Sequence, residues 1–277
     1  MITPNEEYAK LATELKVPRL FFKREDLHPY KSHKGRSIPV MMDHYIQKGT
    51  KHFAISSSGN AALAAALYAK EKNVELDIYV GKKIATSKLY KLQDLSTGTI
   101  RLHQVDRPLQ SVQEKTKDPT IISLRQSADD IALEGYKTLA DELKEIPNLG
   151  TVFIGTSSGT TAQALATALP KVNISIVQTT SCHPLAESIG AMSDTQEESI
   201  ADAIVDKTAL RKDRIKELIN DAYIVNNEHI KTAQTLVKEH TGLTISSNSA
   251  LSVAGLMEAI YTGNDFDKTV VCVICGD

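Results

Sequence analysis

Short apolar runs punctuate the chain at residues 52–56, 76–80, 151–154, 174–178 and 269–274. They are rich in Val and Ile and lack strict alternation, the pattern of strands buried on both faces. Residues 20–23 read as a further short strand, and 75–104 as strand, helix, strand. Helical patterns fill the gaps: residues 6–15, a stretch capped by Ser32, the Ala-rich 61–72, and 162–169. Two more follow, one opened by the Asn226-Asn227 pair and running to Gly242, the other capped around Ser246 and running to Ile260. Residues 106–120 are polar and Lys-rich and read as a loop followed by a helical stretch. Buried strands alternating with helices predict an α/β fold with parallel sheets. The chain carries no internal repeat and no low-complexity segment.

Composition narrows the classes. The 277 residues suffice for one large domain or two smaller ones with a buried core. A formal charge of −2 gives no electrostatic footprint for nucleic acid. No apolar run approaches the roughly 18 residues of a membrane span. The N-terminal residues lack a signal pattern, and the 3 cysteines fit a reducing cytoplasm without disulfides. The sequon at Asn173 then carries no meaning.

Three stretches carry candidate chemistry. Residues 23–36, KREDLHPYKSHKGR, place Lys34 in the first turn of a helix behind Ser32. A helix start disfavours a cation, which helps lower the amine's pKa, and a neutral amine attacks an aldehyde. Residues 55–60, ISSSGN, form a Ser/Gly turn between strand and helix; its free N–H groups and hydroxyls suit an anion. Residues 155–159, GTSSG, form a similar turn, neither a Walker loop nor G-x-G-x-x-G. Taken singly, Lys34 reads as a solvated lysine and each turn as an ordinary capped connection. Cys182-His183-Pro184 has no further ligand at suitable spacing, so no metal is expected. Cys272 and Cys275 fit C-x-x-C, but residues three apart on a strand face opposite ways.

In order, these stretches resemble the fold-type II pyridoxal phosphate (PLP) enzymes: threonine synthase, serine/threonine dehydratases, cysteine synthase and the tryptophan synthase β chain. Around the family's cofactor lysine, Pro29, Ser32, Lys34 and Arg36 keep the pattern, whereas Tyr30, Lys31, His33 and Gly35 depart from it. His33 before the lysine is similar to the tryptophan synthase β chain. The run E-G-Y-K-T from Glu134 is close to threonine synthase, as is S-S-G-N-A-A from Ser57. Threonine synthases carry Asn-Pro-x-Arg just before E-G-Y-K-T, a pattern that falls here on Asp129 to Ala132: the arginine, suited to a substrate phosphate, is absent, and two acids, Asp129 and Asp130, have appeared. Lys31 or Lys137 would have to supply that charge. Cys275, before Gly276, is more like the dehydratases. The chain also ends earlier than family members do, so an element that helps close the site is expected to be missing.

The resemblance implies an α/β fold of two domains with the cofactor between them. The larger would span 1–37 plus 131–277, and the smaller 38–130. It implies that Lys34 holds pyridoxal 5'-phosphate as a Schiff base and serves as general base. It implies that Ser57, Ser58, Gly59 and Asn60 bind the substrate carboxylate, with Asn60 also on the cofactor's ring hydroxyl. Gly155, Thr156, Ser157, Ser158 and Gly159 would grip the cofactor phosphate, the hydroxyls replacing glycines and contributing directly. Cys275 would meet the pyridine nitrogen, and a thiol there favours elimination and replacement over transamination. The implied activity is a threonine synthase-like lyase acting on a small amino acid, O-phosphohomoserine being converted to threonine. The alternatives are a serine/threonine dehydratase, a β-replacement enzyme such as cysteine synthase, or a PLP-binding protein without turnover. A cytoplasmic homodimer with no nucleic-acid or membrane partner completes the expectation.

Overall fold

The computed structural model describes residues 2–195 and 197–276. They form two compact units, Met1–His28 with Tyr136–Asp277, and Pro29–Gly135.

The larger unit opens with β1 (Asn5–Glu7), α1 (Ala9–Glu14) and β2 (Leu20–Arg24). The expected helix over 6–15 therefore starts later. Residues 5–7 pair antiparallel with Lys23, Phe22 and Phe21, and the Tyr8 ring packs against Phe22 at 4.7 Å. Edge pairing satisfies backbone groups that a short exposed helix would leave to water. Lys23 is fully buried and is spent on structure, its Nζ donating to Thr3 O at 2.7 Å and to Glu142 Oε2 at 2.5 Å.

The smaller unit follows: α2 (Lys34–Gln47), β3 (His52–Ser56), α3 (Asn60–Lys72), β4 (Glu75–Gly81), α4 (Thr86–Gln93), β5 (Ile100–Val105), α5 (Pro108–Lys115), β6 (Ile121–Ser123) and α6 (Ile131–Gly135). Its four strands lie in the order β5-β4-β3-β6, all parallel. One face carries the core of Phe53, Ile55, Leu76 and Ile78 against the alanines of α3. On the sheet, Asp77 is only 1 % exposed and gathers neighbouring side chains. His52 and His103 each place Nε2 on it, at 2.7 and 2.8 Å, Arg101 Nε donates at 2.8 Å, and Lys115 lies 3.5 Å away. The two histidines are half-buried partners of this carboxylate.

The domain limits expected at 37/38 and 130/131 fall instead at His28/Pro29 and Gly135/Tyr136. A boundary after residue 37 would cut α2 inside its first turns. The end of α6 is also tied to that helix: a Cβ on Gly135 would overlap the Arg36 carbonyl and come within 2.5 Å of Ser37 Cα. Gln126 Nε2 donates to Ser37 Oγ on the same helix.

The chain then returns to the larger unit with α7 (Lys137–Lys144), β7 (Leu149–Gly155), α8 (Thr160–Ala168), β8 (Asn173–Thr179), α9 (Pro184–Ser188), α10 (Lys212–Leu218), β9 (Ala222–Val225), α11 (Asn227–Thr241), α12 (Ser247–Tyr261) and β10 (Thr269–Ile274). Its sheet runs β1-β2-β10-β7-β8-β9, parallel apart from β1. The buried face of α12, with Leu251, Val253 and Leu256, packs into its core, and Gly255 lets the helix close on Val177. Asn226 caps α11 by accepting from His229 N–H at 2.9 Å, and Gly242 ends it at φ +76°. Among the described residues no helix is long and apolar enough to cross a membrane.

Candidate active site

In the smaller unit, Lys34 is the first residue of α2. Ser32 Oγ accepts its N–H at 3.3 Å, and Ser32 O and His33 O accept the N–H groups of Gly35 and Arg36, both at 3.0 Å. Lys31, just before, sits at φ +67°, a left-handed conformation costing roughly 1–2 kcal/mol for a residue with a Cβ. The turn is thus held by its surroundings: Ser32, His33 and Arg36 are buried. Lys34 itself is half-buried, and its amine has no hydrogen-bond or ion-pair partner among the described residues.

The same unit places Ser57, Ser58, Gly59 and Asn60 at the C-terminal end of β3, leading into α3. Ser57 Oγ accepts Gly59 N–H at 3.3 Å, and Gly59 O accepts Leu63 N–H at 3.1 Å. The N–H groups of Asn60, Ala61 and Ala62 find no acceptor among the described residues, nor do the Ser58 and Asn60 side chains carry bonds there. A Cβ added at Gly59 would meet nothing within 4 Å, so the space before the turn is open. A helix N-terminus with unmet donors and room in front of it suits a carboxylate.

In the larger unit, residues 155–159 join β7 to α8. This turn is held by several bonds. Thr156 N–H donates to Val177 O at 3.0 Å, and Thr156 Oγ1 accepts Gly159 N–H at 3.1 Å. Gly159 turns at φ +80°, and its Cα faces Ile215 and Leu185 so closely that a Cβ would lie 3.1 Å from each. Ser158 Oγ meets Thr160 Oγ1 at 3.0 Å. Ser157 Oγ, expected to face an anion, accepts the N–H groups of Val205 and Asp206, each at 2.9 Å. The N–H groups of Ser157, Ser158, Thr160 and Thr161 have no acceptor among the described residues. Four unmet donors at the start of a helix fit a phosphate by partial charge and by direction.

Cys275 follows β10, the strand beside β7, and is 6 % exposed. The next residue is pinned to the start of α12. Gly276 N–H donates to Ser249 Oγ at 3.1 Å, while Ser246 and Ser249 hydroxyls donate to Gly276 O at 2.7 and 2.9 Å. The loop after β7 and Cys275 thus share one edge of one sheet, at the C-terminal ends of parallel strands where α/β folds bind ligands. Cys272 is fully buried on β10, its thiol directed at Ser252 O, 3.6 Å away, and burial pushes its pKa up. All three cysteines are thiols.

Two residues escaped the sequence reading. Gln178, fully buried at the end of β8, donates to Thr156 O at 3.1 Å and accepts from Leu185 and Ala186 N–H at 2.9 and 3.0 Å. It ties the loop to the start of α9. Arg211, 6 % exposed, donates to Thr160 Oγ1 at 3.2 Å and Gln163 Oε1 at 3.0 Å. It brings a guanidinium to the first turn of α8. Only the polar ending of an apolar run hinted at Gln178; nothing flagged Arg211.

A family model described as "Pyridoxal-phosphate dependent enzyme" matches residues 2–276. The chain belongs to this family. It is a pyridoxal phosphate-dependent enzyme, and pyridoxal phosphate is its cofactor. The threonine synthase of Methanosarcina acetivorans is 26% identical over 301 residues, covering 99% of this chain and 74% of that one. The L-threonine dehydratase catabolic TdcB of Staphylococcus aureus is 23% identical, covering 99% of this chain and 83% of that one. Among solved structures, a pyridoxal 5'-phosphate-dependent aspartate racemase superposes with a TM-score of 0.87 at 19% identity, covering 100% of this chain and 90% of that one. At that identity the likeness is one of fold, and it agrees with the α/β architecture of parallel-rich sheets flanked by helices.

Proposed function

We propose that the protein is a lyase for a small amino acid, threonine synthase-like in its reaction, with Lys34 as its cofactor lysine and general base. The observation that carries this reading is the Lys34 amine: half-buried, at a helix start, and without a partner among the described residues. A lysine amine kept out of ion pairs can bond covalently to an aldehyde and later exchange a proton.

The residues present fit the cofactor. The N–H groups of the 155–159 loop and of the first turn of α8 would hold its phosphate, with Arg211 adding positive charge behind Thr160. Cys275 would lie by its ring nitrogen, and Asn60 by its ring hydroxyl. When bound, the cofactor supplies an electron sink for the charge left as the substrate's α-proton departs. Lys34 Nζ takes that proton and holds it for return. The unmet N–H groups that open α3 orient the substrate carboxylate, and Ser58 and Asn60 add side-chain donors. A thiol at position 275 leaves the ring a weaker sink than a carboxylate would, which suits elimination and replacement.

A second reading, a serine/threonine dehydratase, is favoured by Asp129. Its Oδ1 accepts Ile131 N–H and its Oδ2 accepts Tyr45 Oη, both at 2.9 Å. Asp129 thus caps α6, three positions before Ala132, where the threonine synthase pattern carries its arginine; the arginine is absent and the added carboxylate would repel a substrate phosphate.

The test is visible absorption of the purified holoenzyme beside Lys34→Ala. A yellow cofactor band present in wild type and lost in the variant is expected, with turnover falling at least a thousandfold. Release of inorganic phosphate from O-phosphohomoserine selects the first reading, and ammonia from L-serine or L-threonine the second. An unchanged band in Lys34→Ala sinks the assignment of Lys34. Neither product from a coloured wild type points to cofactor binding without turnover.

A further inference from the structure

Past the end of β8, the larger unit holds an open cavity of about 570 Å³, lined by none of the residues given a role above. Its size lies within the range of small-molecule sites. On one wall is Thr180, 5 % exposed. Its N–H donates to Val225 O at 3.1 Å, but its hydroxyl has no partner. A buried hydroxyl left without a partner in an otherwise well-bonded region marks a place where a ligand or water completes the set.

The charged groups on the other walls divide into committed and uncommitted. Glu187 pairs with His183 at 3.2 Å, and Glu197 Oε1 accepts Asn227 N–H at 2.6 Å. The Glu198 carboxylate and the Lys207 ammonium, both in the lining, have no hydrogen-bond or ion-pair partner among the described residues. An anion alone would face three carboxylates. A cation alone would leave Lys207 and Thr180 unmet, and no His/Cys/Asp/Glu group among the described residues is arranged to hold a metal. A zwitterion satisfies both signs: its ammonium meets Glu198, and its carboxylate meets Lys207 and the Thr180 hydroxyl. The geometry points to a second binding site here, for a free α-amino acid.

The wall that carries Glu198 and Lys207 also reaches the loop after β7. Within residues 197–207, Val205 and Asp206 N–H donate to Ser157 Oγ, each at 2.9 Å. Ala203 N–H donates to Asn248 Oδ1 at 3.0 Å, and Asn248 Nδ2 donates to Asp202 Oδ1 at 3.2 Å. A ligand that grips Lys207 therefore loads a strap whose next two residues toward the N-terminus are bonded to Ser157. Occupancy of the cavity and cofactor affinity are then linked, each changing the other by the same factor. This linkage, unlike the site itself, rests on the reading of the 155–159 loop as the phosphate cradle.

Equilibrium dialysis of the holoenzyme with radiolabelled L-threonine tests the site. Wild type is expected to bind two molecules per chain. In Thr180→Val and in Lys207→Ala one of them weakens at least tenfold, while the cofactor's absorption response to L-threonine persists. Thr180→Val keeps the shape of the side chain and Lys207 is exposed, so both variants fold. Glu198→Gln is expected to weaken the same equivalent. No bound molecule in wild type, or bound molecules that all ignore the three substitutions, overturns the site. If the cofactor does not respond to L-threonine and a single equivalent remains that Lys207→Ala weakens, the cavity site stands and the proposed reaction on this amino acid falls.

Discussion

The loop after β3 in the smaller unit and the loop after β7 in the larger unit are built alike. Each joins a parallel strand to a helix through serines and a glycine, and each leaves N–H groups unmet at the helix start. They differ in how they are held. The loop after β7 is fixed from behind by Gln178, from the side by residues 205–206, and from within by Thr156 Oγ1. The loop after β3 has one internal bond from Ser57 Oγ and open space before Gly59. A loop that must hold a resident group gains from being set in advance, since ordering is then not charged to each binding event. A loop that takes and releases a substrate on every turnover is better left short of bonds. On the proposed reading, the loop after β7 holds a group that stays and the loop after β3 a group that comes and goes.

The comparison can be broken most forcefully at Gln178. Gln178→Ala leaves two buried N–H groups and a carbonyl unpaired and is expected to cost about 3 kcal/mol. Urea denaturation measures it, and cofactor retention should fall with it. A loss under about 1 kcal/mol would mean that the loop after β7 does not depend on its support.

The smaller unit's rigidity should lie in its sheet, not its loop. Asp77→Ala strands Arg101, His52, His103 and Lys115 together and is expected to cost about 2 kcal/mol. Arg101 and the two histidines outweigh the burial that opposes them and hold the Asp77 carboxyl well below its usual range. The stability this contributes is present above the unfolded value of about 3.9 and is lost as pH falls below it. The gap between wild type and Asp77→Ala should therefore be full at pH 6 and shrink steadily toward pH 2. A gap that does not vary with pH removes Asp77 as the organiser.

The glycines give a finer contrast. Gly159→Ala must adopt φ +80° and press on Ile215 and Leu185, for roughly 1–2 kcal/mol. Gly59→Ala, at φ −119° with nothing within 4 Å, should cost well under about 1 kcal/mol and raise KM for the substrate instead. Equal thermal shifts in the two variants would erase the distinction between the loops. Asn60→Ala should change stability least, within about 0.5 kcal/mol, while weakening substrate binding.

Much of this was legible in the chain. The strands at 52–56 and 269–274 appear at the expected residues, because strands buried on both faces leave an uninterrupted apolar signature. The strand–turn–helix contexts of Ser57 to Asn60 and of Gly155 to Gly159 were readable for the same reason: glycine and serine interrupt that signature where the chain must turn. The short edge strands Asn5–Glu7 and Ala222–Val225 were not: the first is polar throughout, and the second, though apolar, is only four residues long. The Ile121–Ser123 strand is too short to show a period. Gln178 and Arg211 are invisible for a different reason. Their roles depend on what the fold brings to them, and a lone buried amide or guanidinium has no local spacing to recognise. Ser157 shows the reverse: its type was noticed, but its hydroxyl is taken up by residues 205–206, some 48 positions away in sequence.

The closeness of Gly135 to the start of α2 has a consequence for how this sequence can diverge. At that point the helix that begins with Lys34 is met by main chain, not by a side chain, with Gly135 against the Arg36 carbonyl and Ser37 Cα. A contact of that kind places no demand on the identity of the residues it touches. The side chains of Arg36 and Ser37 can therefore change without disturbing this contact, while the lysine stays where it is. The tolerance granted to those positions is concentrated as intolerance at one other: position 135 admits no side chain at all.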